Sequence, residues 1–372
     1  MIAALIPALV EAFHISVSAA GFLVVLYSVL AAGAGLAAGT LSDHYGRRRF
    51  LLIASIVFAL ASWMASHTLT FSQLLAARAV TGAAAGTIST CTLAYAGDAF
   101  DYAVRGRALG LISVAYFAAP VIGVPLGAQI ANHYGWRSAF LLFAALACVS
   151  ACSVFLLPRD RLEHAGRALN FGHSVQTFQE FLRRRDLAAG IGLAFLVSGG
   201  LVGFLTYIGV WLNAQFGMST GGIGWVFMYA GVVAVIGAPL GGVLADRWGK
   251  RPVAIAGSVL LAAAVVLIPT FPWGAFLLAV LGAASMGAAL RQGPLTALMT
   301  ELIPGAKRGS YMAARGVSSQ LGIGAAVLVG GALYEHWGYA AVTLFCGLMT
   351  AAAAAVLAAW ISEPASGADS RA

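Results

Sequence analysis

Gly39-Thr-Leu-Ser-Asp43-His-Tyr-Gly46-Arg47-Arg48-Arg49 stands between two long apolar runs, and Gly242-Val-Leu-Ala-Asp246-Arg-Trp-Gly249-Lys250-Arg251 stands between two more. The copies lie 203 residues apart. Applied to the rest of the chain without a gap, the same offset brings Phe13 and Ser16 onto Phe216 and Ser219, and Gly21 onto Gly224. It also pairs Asp98 with Glu301, Arg105-Gly106 with Arg308-Gly309, Gly127 with Gly330, and His133 and Gly135 with His336 and Gly338. So many agreements at glycine and charged positions on one diagonal mark an internal duplication. The chain divides into related halves at 1–157 and 187–361, a linker at 158–186 and a tail at 362–372.

Composition says what solvent these halves meet. Of 372 residues, 61% are hydrophobic and 9% charged, against about 25% charged in a soluble domain. Too little polar surface exists to cover a water-soluble globule, so lipid is the expected solvent. The net charge of +8 raises nucleic acid as a partner. The basic residues sit in short clusters between apolar runs, which argues against it. Cys91, Cys148, Cys152 and Cys346 all lie inside apolar runs with no His or carboxylate set beside them. They read as small buried hydrophobes, with neither a metal site nor a disulfide framework implied.

A membrane-crossing helix needs roughly 20 mostly apolar residues. Eleven such runs are predicted, at 19–41, 50–66, 71–97, 108–131, 139–157, 187–214, 223–245, 253–271, 273–298, 310–334 and 339–360. A twelfth, at 2–13, is short. At ~1.5 Å per residue it spans about 18 Å of a ~30 Å hydrocarbon layer. The offset places Met1 on Phe204, well inside the run 187–214. The remainder of the first helix is therefore expected upstream of Met1; the alternative is a genuine short first helix.

Loops after the even-numbered helices, with the tail, hold 17 of the 21 Lys and Arg, and the opposite loops hold only Arg137. Basic residues mark the cytoplasmic side, so both termini and the linker are predicted there. In the linker, Phe171, Val175, Phe178 and Leu182 recur at helical spacing between polar residues. They predict a helix lying on the inner membrane face; a regulatory docking segment is the alternative. The tail, small and polar, is expected to be disordered.

The twin loop motifs resemble the hallmark loop of the major facilitator superfamily, G-x-L-a-D-r-x-G-r-r, and the resemblance covers essentially the whole chain. His44 stands where that family usually has a basic residue. The resemblance implies an all-α membrane fold of two six-helix bundles, related by an axis along the membrane normal and working by alternating access. Physically, Gly39 and Gly242 would let helices approach closely, and Gly46 and Gly249 permit a tight turn. Asp43 can accept from an arginine or face the positive end of a helix. The family resemblance implies that Asp43, Arg47, Arg48, Asp98 and Arg105, with Asp246, Lys250, Arg251, Glu301 and Arg308, latch the halves in one access state. Positive-inside anchoring by solvated ion pairs is the plainer reading.

Arg78-Ala-Val-Thr-Gly82-Ala-Ala-Ala-Gly86 resembles the family's second motif, R-x-x-x-G-x-x-x-G. An arginine at membrane depth is costly, which points to coupling or substrate contact; a structural ion pair is the other reading. Pro120-Val-Ile-Gly123-Val-Pro125-Leu-Gly127 partly matches the helix-5 motif of drug:proton antiporters, with Ala119, Val124 and Ala128 as departures. That favours export over uptake. Arg291 and Arg315 either reach the cavity or snorkel to the headgroups. Glu11, the one carboxylate of the first helix, is a candidate proton carrier, and the resemblance equally allows that carrier in a segment upstream. Tyr27, Tyr116, Tyr207, Trp211, Asn213 and Gln320 are polar-tipped residues on the expected cavity helices, with packing as the alternative for each.

No nucleotide-binding loop is present, and no Ser-His-Asp or metal-ligand spacing points to an enzyme. The expectation is a secondary transporter that needs no cofactor beyond a proton gradient and acts as a monomer in the inner membrane. It would export a small drug, sugar or metabolite. Proton-coupled uptake of a sugar or metabolite is the alternative, and a non-transporting membrane sensor the remote one.

Overall fold

The computed structural model describes residues 2–99, 119–158, 179–303, 305–361 and 363, without the side chains of residues 40, 43, 97–99, 119–120 and 305–308. The described residues form helices joined by short turns, with no strand among them. In the first half α1 is Ile2–Phe13, α2 Val17–Tyr45, α3 Arg47–Ser66 and α4 Phe71–Ala99. α5 runs through a π turn at Ala119–Gly123 into Val124–Tyr134, and α6 is Trp136–Val154. In the second half α7 is Arg185–Phe216, α8 Thr220–Trp248, α9 Lys250–Leu267 and α10 Ala275–Glu301. Gly305–Trp360 is broken at Gly338 (φ 74°, ψ −173°) into α11 and α12.

By length and apolar character, eight stretches of the described residues can cross a membrane, with Gly309–Trp360 counted once. The other expected crossings are accounted for individually. α1 is short, α4 carries Arg78 among a row of Thr and Ser, and α5 is described only from residue 119. The exterior bears out lipid as the solvent: Ile53, Leu60, Trp63, Val149, Ile236 and Trp337 are all exposed.

The duplication is visible in the backbone. The residues with positive φ are His14, Gly46, Gly135, Gly217, Gly249 and Gly338. They form three pairs, each separated by 203 residues. Gly46 (φ 99°) and Gly249 (φ 92°) end one helix and begin the next, where a side chain would be strained. Ser16 caps α2 by accepting the Ala19 N–H at 3.1 Å, and Ser219 caps α8 by accepting the Gly222 N–H at 3.2 Å.

The turns at Gly46 and Gly249 define a basic face of the molecule. At the opposite face the halves meet through α2 with α11 and α5 with α8. A buried cluster there mixes Ala4 and Ala128 with Tyr207, Ile208, Ile223 and Val327. α1 lies against α7, where a Cβ at Gly209 would stand 2.4 Å from Ala3 O.

One expectation needs correction. Cys91 and Cys346 are buried, but Cys148 and Cys152 are exposed, because they lie on the side of α6 away from its buried face of Ala144, Ala147 and Ala151. In the linker's described end, Phe181 is the buried residue, packed against Tyr311 at 5.5 Å, while Leu182 is half exposed. Phe171, Val175 and Phe178 lie outside the described residues.

Candidate functional site

At the basic face each half binds its own third helix to its sixth. Arg48 Nε donates to Val154 O at 3.1 Å and its Nη2 to Phe155 O at 3.0 Å. Arg251 Nε donates to Leu357 O at 3.2 Å and its Nη2 to Ala358 O. These acceptors are again 203 residues apart. A guanidinium is suited to the task, because its planar fork reaches two consecutive carbonyls freed at a helix end. Arg47 donates to Ala94 O, tying α3 to α4. Lys250 pairs with Glu301, tying α9 to α10. The contacts of Arg48, Arg47, Lys250 and Arg251 named here therefore lie within one half. Asp246 is exposed and forms no ion pair among the described residues. The side chains of Asp43, Asp98 and Arg308, and Arg105 entirely, lie outside the described residues.

Glu363, just past α12, was not singled out from sequence. Its carboxylate accepts the Lys250 N–H at 2.9 Å and the Arg251 N–H at 3.3 Å, at the positive end of α9. The 203-residue offset pairs it with Asp160, and that match was the available signal.

The packing role expected of Gly39 and Gly242 is not seen. A Cβ at Gly242 meets nothing within 4 Å, and one at Gly39 meets only Thr90 Cγ2 at 3.7 Å. Their neighbours do that work, since a Cβ at Gly35 would reach Thr90 Oγ1 at 3.1 Å and one at Gly241 would reach Leu290 O at 2.6 Å. The packing faces of both helices are therefore turned away from the positions the sequence suggested. Gly82 and Gly86 do bring α4 against α2, with virtual Cβ atoms 2.3 Å from Tyr27 O and 2.1 Å from Ala31 O.

That approach buries Arg78 against Tyr27, with the guanidinium 4.3 Å from the ring centroid. Its Nη1 donates to Thr81 Oγ1 at 3.4 Å, and its Nε has no partner among the described residues. Arg291 is fully enclosed, at 0% exposure, which removes the snorkelling alternative in this conformation. Its Nη2 donates weakly to Val197 O at 3.4 Å, while Nε and Nη1 are unpartnered among the described residues. Arg315 reaches Gly190 O at 3.1 Å and Ser318 reaches Ile191 O at 2.8 Å, both on α7.

Other candidates resolve into packing. The Tyr207 hydroxyl donates to Val327 O at 2.7 Å, and Trp211 stacks on Tyr339 at 5.1 Å. Asn213 donates to Met218 O at 2.9 Å across the α7–α8 turn. Glu11 is exposed near the end of α1, Gln320 is half buried, and Tyr116 lies outside the described residues. In α5 the π turn contains Pro120 and Gly123 and hands over to Pro125 and Gly127. Its Val121 meets Gly231 of α8, where a Cβ would fall 2.9 Å from Val121 Cα.

A cleft of about 330 Å³ opens between α3, α4 and α6, lined by Ser55, Ser89, Ser150, Phe58, Ile88 and Phe143 among others. By the 203-residue offset, Ile88 corresponds to Arg291.

Comparison with known proteins agrees with this architecture. The chain is 26% identical over 354 residues to the uncharacterized MFS-type transporter YwfA of Bacillus subtilis, covering 94% of this chain and 85% of that protein. It is 26% identical over 361 residues to a chloramphenicol efflux pump of Mycobacterium tuberculosis, covering 92% and 84%. Among solved structures, the inward-open xylose transporter XylE of E. coli superposes with TM-score 0.77 at 17% identity, over 98% of this chain and 93% of that one. A D-xylose–proton symporter superposes with TM-score 0.80 at 19% identity, over 97% and 93%. The family model described as Major Facilitator Superfamily matches residues 1–222 and again 191–372, one match for each half. Twin bundles, twin loops and a family match to each half lead to one conclusion: the chain belongs to the Major Facilitator Superfamily and is a multi-pass membrane transporter, not an enzyme.

Proposed function

We propose that this transporter exports a small molecule in exchange for protons, by alternating access between the halves 1–157 and 187–361. The observation that carries the direction is the α5 sequence Pro120–Gly127 and its π turn, set against α8 where the halves meet. π turns gather at functional sites, and the sequence there partly matches that of drug:proton antiporters. The likeness to a chloramphenicol efflux pump over nine-tenths of the chain supports the same direction. The likeness to xylose transporters bears on fold, not on direction.

On this reading the basic face is cytoplasmic, in the inner membrane, with both termini there. The conformation described is closed at the outer face. Arg47, Arg48, Lys250 and Arg251 hold each bundle rigid, while Asp43 and Asp246, with Asp98, Arg105, Glu301 and Arg308, join the inner rims in the opposite state. Arg78 over Tyr27 is the polar point of the first half, held between α4 and α2. No cofactor besides the proton gradient is required, and the monomer is the working unit.

The test is drug flux in membrane vesicles under an imposed pH gradient, with chloramphenicol as the first probe. Inverted vesicles with an acidic lumen should accumulate it, and a protonophore should abolish the uptake. Accumulation only in right-side-out vesicles would establish symport instead. Gradient-independent behaviour with every probe would leave the sensor reading standing.

A further inference from the structure

The face at which the halves are closed is held by one joint made twice. Asn132, in the last turn of α5, accepts the Gly221 N–H of α8 at 3.2 Å through its Oδ1. Gln129 reinforces this by donating to Gly221 O at 3.1 Å. Glu335, in the last turn of α11, accepts the Ser18 N–H of α2 at 3.0 Å through its Oε1. The Ser16 hydroxyl stands close by and favours the charged form of the same carboxylate. Both acceptors stand three residues before a positive-φ glycine, Gly135 and Gly338, and both donors lie in the first turn of a helix of the other half. Asn132 and Glu335, like Ser18 and Gly221, are 203 residues apart. The joint is thus one device in two copies, and only one copy can ionise.

The electrostatics of that copy differ between access states. In the closed state the Glu335 carboxylate sits on the Ser18 N–H in the first turn of α2, where the helix dipole favours an anion. When this face opens, α2 moves away. Glu335 then remains in the last turn of its own helix, where the dipole disfavours an anion. The neighbouring titratable groups are few. Tyr334 and His336 adjoin it on α11 and stay with it in both states. His14 lies on the segment entering α2, which carries no other ionisable side chain between residues 12 and 26. From α7 and α12 the ionisable groups are Tyr207 and Tyr339, whose hydroxyls donate to Val327 O and Phe204 O. The Lys and Arg of these elements, Arg185 of α7 and Lys307, Arg308 and Arg315 of α11, lie toward the other ends of their helices, so none replaces the lost α2 terminus.

We propose that Glu335 is a proton-binding residue of this gate, taking up a proton as the face opens and releasing it as the face closes. The proposal rests on the alternating-access reading above. By linkage, if opening favours proton binding, then protons favour opening, by the same factor. Acid at this face therefore shifts the transporter toward the open state.

The experiment places spin labels on Leu69 and Phe276, both exposed at this face and on opposite halves, in a full-length chain with Cys148 and Cys152 replaced by Ser. Distances are measured in lipid nanodiscs from pH 8 to pH 5. The long-distance population should rise roughly two- to five-fold on acidification, the factor expected for one charge at one helix terminus. Glu335→Gln should raise that population at pH 8 and abolish its further rise. Asn132→Asp, which makes the second copy ionisable, should steepen the response. A wild-type-like pH response in Glu335→Gln overturns the proposal, as does an unresponsive wild type. Drug flux in vesicles is scored separately, so loss of the latch and loss of the export reading are told apart.

Discussion

Around the rims, many residues 203 apart do the same work. Arg48 and Arg251 each bind two consecutive carbonyls, Gly46 and Gly249 share a φ near 95°, and Ser16 and Ser219 cap the same turn. In the interiors the correspondence ends. Ile88 lines a cleft where the other half encloses Arg291, and Gly82 and Gly86 correspond to Ser285 and Ala289. The rims are constrained by backbone geometry and helix-end hydrogen bonding, which both bundles must satisfy alike. The interiors are free to diverge, and that is where the functions of two halves of a transporter can differ.

The comparison can be broken most forcefully at Gly86. Gly86→Val forces a side chain into Ala31 O, a backbone atom that cannot step aside, and should cost about 3 kcal/mol or more. Thermal melting in detergent measures it, and a near-neutral result would mean the α2–α4 approach is not as drawn. Next comes Arg291→Met, which removes a buried guanidinium lacking a carboxylate among the described residues. Stability should rise by something on the order of 1–4 kcal/mol. If melting falls instead, a counter-charge is present that these contacts do not include.

Gly46→Ala and Gly249→Ala should each cost about 1–2 kcal/mol, because both force a Cβ into the left-handed region. Equal losses sustain the equivalence of the rims, and a clear inequality breaks it. His14→Gly should stabilise by about 1 kcal/mol, since Gly217 already holds that place in the other half. Smallest is Gly242→Ala, expected within about 0.5 kcal/mol of wild type because a Cβ there meets nothing.

The helices and their pairing were legible because apolar length, turn glycines and the offset are one-dimensional signals. The rotation of each helix was not. Gly39 and Gly242 looked like packing glycines, yet Gly35 and Gly241 hold that role. In a lipid-facing bundle both the inner and the outer faces of a helix are apolar, so the usual amphipathic cue to orientation is weak. Arg291 illustrates the same difficulty, since spacing alone cannot separate a cavity, a headgroup and a bundle interior. The Asn132–Glu335 correspondence was readable, being one residue from the matched His133 and His336, but its partners are backbone N–H groups that sequence does not display.

Phe181, seated between Tyr311, Leu187 and Ile191, makes the final turn of the connector a fixed part of the second bundle. The contacts that hold the halves together lie outside the connector, in α2 with α11 and α5 with α8. Severing the connector ahead of Phe181 should leave two polypeptides that co-assemble into a working machine, with registry between them supplied by the helix contacts alone.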